Sequence, residues 1–101
     1  MTDSKTVWWV YIIRTVDDRL YSGVSIDVDR RFREHQTGGV RAAKYLKAHR
    51  PLTLVFSLPV GSRSLAQKVE YHLKRLPRSR KDTIIRCQKL NFDPQSGRIA
   101  T

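Results

Sequence analysis

Trp8-Trp9-Val10-Tyr11-Ile12-Ile13 and, beyond the Asp-rich break Thr15-Val16-Asp17-Asp18-Arg19, Leu20-Tyr21-Ser22-Gly23-Val24 are the two runs on which the fold turns. The first is large, aromatic and β-branched without polar interruption, the pattern of a central strand covered on both faces. The break supplies turn chemistry, so the second run reads as the return strand of an antiparallel hairpin. Strand side chains alternate with a period of two, and a slip of one residue reverses every face. The sequence therefore leaves the facing of Tyr11 and Tyr21 open by one residue.

Downstream, Gly23 ends or kinks the second strand, where a missing side chain lets a ligand approach the backbone closely. Ser25 or Asp27 caps a helix running to about Gln36, stopped by Thr37-Gly38-Gly39. On it Val28 and Phe32 mark the core side, Arg31 and His35 a neighbouring face, and Arg30 and Arg33 point outward. Val40 to Ala48 predicts a short basic helix or ordered loop before Pro51. Leu52 to Leu58 alternates as a third strand, with Leu52, Leu54, Phe56 and Leu58 on one side, closed by Pro59 and Gly61. Ser62 or Ser64 caps the longest helix, whose stripe is Leu65, Val69, Leu73 and Leu76, with Glu70 at its border. A shorter helix spans about Ser79 to Gln88. The expected organisation is an N-terminal extension over 1–7, one domain over 8–88 and a flexible tail over 89–101, which has no period.

A chain of 101 residues carries one small core, so any active site must share it. Twenty Lys and Arg against nine acids give a formal net charge of +11. The partner that this implies is a polyanion, DNA first and RNA also admitted by the charge, because neutralising phosphates releases condensed counterions. The densest basic run holds Arg41, Lys44, Lys47, His49 and Arg50. No apolar run approaches the roughly 20 residues of a membrane span. The start of the chain lacks the pattern of a secretory signal, and the expected location is the cytoplasm. The lone Cys87 has no metal-ligand spacing around it and reads as a packing residue.

Two phenols on adjacent strands, a helix arginine and a later carboxylate form a set suited to cutting phosphodiesters. The arrangement resembles the GIY-YIG nuclease superfamily, in particular its small stand-alone bacterial members. Trp9-Val10-Tyr11 stands where the first motif falls and Tyr21-Ser22-Gly23 where the second does. Arg31 occupies the helix arginine, His35 follows by four, and Glu70 lies on the long helix. The resemblance covers about residues 8 to 86 and implies an α/β (α+β) domain, a three-stranded antiparallel sheet flanked by helices.

It further implies a metal-dependent endonuclease acting on DNA, with a single Mg²⁺ or Mn²⁺ held by Glu70. Arg31 would brace the scissile phosphate and one of Tyr11 and Tyr21, its pKa lowered by nearby cations, would activate water, with His35 as a further candidate. Gly23, Arg30, Arg41, Lys44, Lys47 and Arg50 are the candidate nucleic-acid contacts. With no second domain for base readout, selection would rest on ends, nicks or branches, as in repair or recombination, or on a protein partner. Each residue taken alone has a plainer reading: strand packing for the tyrosines, and a helix ion pair for Glu70 with Lys74. Val24 follows the second motif where several better-known members carry a lysine. That leaves a non-catalytic nucleic-acid-binding module on the same scaffold as the alternative.

Overall fold

The computed structural model describes residues 6–39 and 41–100. Most of the expected N-terminal extension, Val40 of the basic segment and the last residue of the tail lie outside the described residues. The hairpin forms as the sequence predicts, from β1 (Trp8–Arg14) and β2 (Leu20–Ser25). The intervening turn is closed by the Thr15 N–H to the Arg19 carbonyl at 2.8 Å, with Asp18 in the left-handed region at φ 64°. The sheet is completed by β3 (Thr53–Gly61), antiparallel to β1, in the order β2-β1-β3.

With β1 in the centre, its alternate side chains feed two cores. Val10 and Ile12 join Phe56, Val69, Leu73 and Ile84 on one face, and Tyr11 and Ile13 join Leu46 and Leu52 on the other. Every one of these β1 side chains is 2% exposed or less, and burying such a side chain is worth about 1.5–3 kcal/mol. One face is covered by α1 (Val28–Thr37) and α2 (Lys44–Lys47), the other by α3 (Arg63–Lys74) and α4 (Arg78–Cys87). The result is a helix–sheet–helix α+β domain.

The helix boundaries follow local chemistry. Asp27 accepts the Arg30 N–H at 3.1 Å at the start of α1, and Gly38 at φ 74° ends it. Ser62 accepts the Leu65 N–H at 3.1 Å to open α3.

Four expectations need correction. The alternation read for the third strand breaks, because the β1–β3 register shifts between Ile12 and Ile13, which pair with Phe56 and Leu54. Val55 is the extra residue of a bulge, so Leu52 and Leu54 go to one core while Phe56 and Leu58 go to the other. Pro59 does not close the strand but sits inside it, tolerated because β3 is an edge. The tail is not a loose end over its described length. Leu90 is buried, Phe92 pairs with Ile99, and Gly97 lies so close to α3 that an added Cβ would meet the Lys68 Cβ at 2.6 Å. Finally, Cys87 is exposed rather than a packing residue.

Candidate active site

The β1–β2 register resolves the facing that the sequence left open. Tyr11 stands opposite Gly23 and Ile13 opposite Tyr21, so both phenols look toward α1. Tyr11 is 2% exposed, and its ring lies across Gly23: a Cβ there would be 2.4 Å from the Tyr11 hydroxyl and 2.5 Å from Cζ. Gly23, expected as a nucleic-acid contact, makes room for the tyrosine. Tyr21 is half-buried at the rim of the same cluster.

From α1, His35 enters the cluster fully buried. Its Nδ1 accepts the Ala43 N–H at 3.1 Å, which requires the ring proton of the neutral imidazole to be on Nε2. Nε2 lies 3.1 Å from the Tyr11 hydroxyl and donates to it. Burial and the neighbouring Arg31 push His35 down to about 4, so it stays neutral at physiological pH. A ring whose one basic nitrogen already accepts a main-chain hydrogen bond has no free lone pair for a proton. In this arrangement His35 is hydrogen-bonded to orient Tyr11. Its ring also meets Tyr21 edge-on, centroids 5.7 Å apart.

Arg31, one turn earlier, donates from Nη1 to Glu34 Oε1 at 3.0 Å and to the Arg41 carbonyl at 2.6 Å. It also acts on Tyr11, whose pKa it lowers, but burial and the nearby Tyr21 outweigh it and hold that phenol up at about 12. The net lowering expected from surrounding cations is therefore not reached at Tyr11. Glu70 projects from α3 near enough to act on Tyr11 as well, and Lys74 pairs with it at 3.1 Å. The five side chains Tyr11, Tyr21, Arg31, His35 and Glu70 thus share one neighbourhood although they come from four elements.

Among the described residues no three His, Cys, Asp or Glu side chains cluster at ligand distance. Glu70, 21% exposed, is a hard oxygen donor that fits a Mg²⁺ or Mn²⁺ ion keeping most of its waters. Lys74 would have to swing aside, which its 55% exposure permits.

The basic residues divide. Arg30, Arg41, Lys44 and Lys47 are exposed. Arg50 is committed to the fold: Nε donates to the Lys47 carbonyl and Nη1 to the Gln36 carbonyl, both at 3.1 Å, over Gly38. The sequence reading missed two participants. Glu34 was detectable from its i,i+3 spacing to Arg31. The Ala43 N–H was not, because a main-chain donor leaves no mark in the sequence.

Two strands present paired tyrosines to a helix that carries an arginine and a histidine, with a glutamate from the opposite layer, which is the arrangement the GIY-YIG resemblance implies. Residues 7–83 match the family model described as the GIY-YIG catalytic domain, and the chain belongs to that family. A search of curated proteins finds the UPF0213 protein YhbQ of Escherichia coli, 48% identical over 80 residues, which are 79% of this chain and 78% of that one. Among solved structures, the solution NMR structure of the UPF0213 protein BH0048 from Bacillus halodurans is similar. It has a TM-score of 0.52 at 33% identity and covers 81% of this chain and 85% of that one. The family is one of endonuclease-type hydrolases that generally use divalent metals, with DNA as substrate. No helix among the described residues is long and apolar enough to cross a membrane.

Proposed function

We propose that the chain hydrolyses DNA phosphodiester bonds with one bound divalent metal, Mg²⁺ or Mn²⁺, choosing targets by structure rather than sequence. The supporting observation is the convergence of Tyr11, Tyr21, Arg31, His35 and Glu70 beside a basic segment. The metal, held by Glu70, supplies Lewis-acid stabilisation of charge on the phosphate. Arg31 moves its fork from Glu34 to a phosphate oxygen, where a guanidinium offers two parallel donors to developing negative charge.

Tyr21 is the phenol at the rim and accepts the proton of the attacking water while passing its own to solvent. Tyr11, buried and hydrogen-bonded to His35, holds the site's shape behind it. The water oxygen bonds to phosphorus, the bond to the 3′ oxygen breaks, and that oxygen takes a proton from solvent, leaving a 5′ phosphate and a 3′ hydroxyl. Arg30, Arg41, Lys44 and Lys47 bind the backbone, and selection comes from ends, nicks or branches, as repair or recombination would require.

The rival reading, a non-catalytic binding module, draws on the Lys74 ammonium against Glu70. Cleavage of linear, nicked, single-stranded and branched DNA with Mg²⁺, Mn²⁺ or chelator separates the two. We expect metal-dependent products that disappear in Glu70→Ala while binding persists, and a larger fall in kcat for Tyr21→Phe than for Tyr11→Phe. Identical wild-type and Glu70→Ala lanes would make the module the correct reading.

A further inference from the structure

We propose that Tyr45 is a stacking platform for an unpaired DNA base, presented by the basic segment next to the tyrosine cluster. Tyr45 lies on α2 between Lys44 and Lys47 and is 38% exposed. Its ring stacks on His49, centroids 4.4 Å apart and planes 28° from parallel. The His49 ring is itself held, with Nδ1 3.3 Å from Asp17 Oδ2, and its carbonyl accepts the Val16 N–H at 3.1 Å. The tyrosine is therefore braced from behind while part of its surface stays open. An aromatic that is ordered before binding loses little freedom on stacking a base.

The surroundings select the ligand. Arg41, Lys44 and Lys47 are exposed on the same segment and track a phosphate backbone, while an aromatic among them offers a face to any base that has left its stack. Tyr71 is the contrasting case. At 53% it is more exposed and has the Arg75 guanidinium over one face at 4.4 Å, but it lies on α3 rather than on the basic segment that carries Arg41, Lys44 and Lys47.

The platform is also tied to the catalytic cluster. Leu46, the next residue, is fully buried in the core that holds Tyr11, and the Ala43 N–H, two residues before Tyr45, fixes His35. A base stacked on Tyr45 would hold single-stranded DNA on the segment that packs against that cluster. The inference deepens the nuclease reading, on which it rests for its position beside a reaction centre, by naming DNA with unpaired bases as the substrate class.

Its test measures binding in chelator, so it does not depend on cleavage. Fluorescence anisotropy compares a mixed-sequence single strand with a blunt duplex of matched length, and a 2-aminopurine in the single strand reports stacking by quenching. We expect Tyr45→Ala to weaken single-strand binding about 10-fold, to leave duplex binding within about twofold, and to abolish the quenching. Tyr45→Phe should behave as wild type in all three measurements, and Tyr71→Ala should leave both affinities unchanged.

Four results would overturn the proposal: equal losses on both DNAs, no loss on the single strand, a Phe variant as weak as the Ala variant, or a Tyr71→Ala defect matching that of Tyr45→Ala. Failure of the nuclease reading appears separately, in the Glu70→Ala cleavage lanes.

Discussion

The Tyr11 hydroxyl fills the space that a Cβ on Gly23 would need, and only the absence of a side chain at Gly23 lets the ring lie against β2. Gly23→Ala should push that ring off its place and break its bond to His35. The expected loss is about 1–3 kcal/mol of stability, as for other overpacked cores, together with a fall in cleavage. Chemical denaturation alongside the cleavage assay checks this, and an unchanged midpoint would mean the ring moves without strain.

His35 makes a pH-dependent contribution of known sign. Its folded value of about 4 lies below the ordinary 6.5, so the unfolded chain takes up the proton first as pH falls. The stability is fully present above 6.5 and is lost between 6.5 and 4, roughly 3 kcal/mol in all. His35→Gln should lower stability at neutral pH and flatten its decline over that interval, as read by thermal unfolding across pH. At this scale the spacing of the tyrosines and of Arg31 was legible in the sequence. The roles of His35 and Gly23 were not, because each depends on a partner 24 or 12 residues away in the other strand or helix.

Helix ends were the most legible elements, since a cap is a bargain struck within four residues. Gly38 acts where the sequence placed the stop, and Asp27 and Ser62 are each one of the two caps the sequence offered. Asp27→Ala should therefore cost about 1 kcal/mol in equilibrium denaturation by freeing the Arg30 N–H. The course of β3 was less legible. Its own alternation is regular from Leu52 to Leu58, and only pairing with β1 reveals that Val55 is surplus and that the face changes there. Glu70 illustrates the same limit from another side. Its place on α3 was readable from the helical stripe, but its nearness to Tyr11 is decided by how α3 lies across β1 and β2, which no local pattern encodes.

Across the whole molecule, the C-terminal residues close one core. Leu90, Phe92 and Ile99 pack against the cluster that holds Val69 and Leu73, and the Ala100 N–H donates to the Asn91 carbonyl at 2.8 Å. The absence of periodicity suggested looseness because a single hairpin bridge pinned by an Asp93–Ser96 turn is too short to show a period. Removing residues 90–101 from the full chain should cost about 2–4 kcal/mol, measured by urea denaturation, and a truncated chain as stable as the whole would refute this packing role.

The charge excess, by contrast, was fully legible in the sequence, but which cations are free was not. Arg50 reads like its neighbours until its donors are found on Lys47 and Gln36. One last feature bears on how such a molecule can change over time. Arg31 is tied to the carbonyl of Arg41, and His35 to the N–H of Ala43. Both ties use atoms that every residue type but proline possesses. Ala43 still packs on the core, but the exposed side chain at 41 is free to drift, so a lineage can retune its surface charge there without rebuilding the cluster of Tyr11, Arg31 and His35.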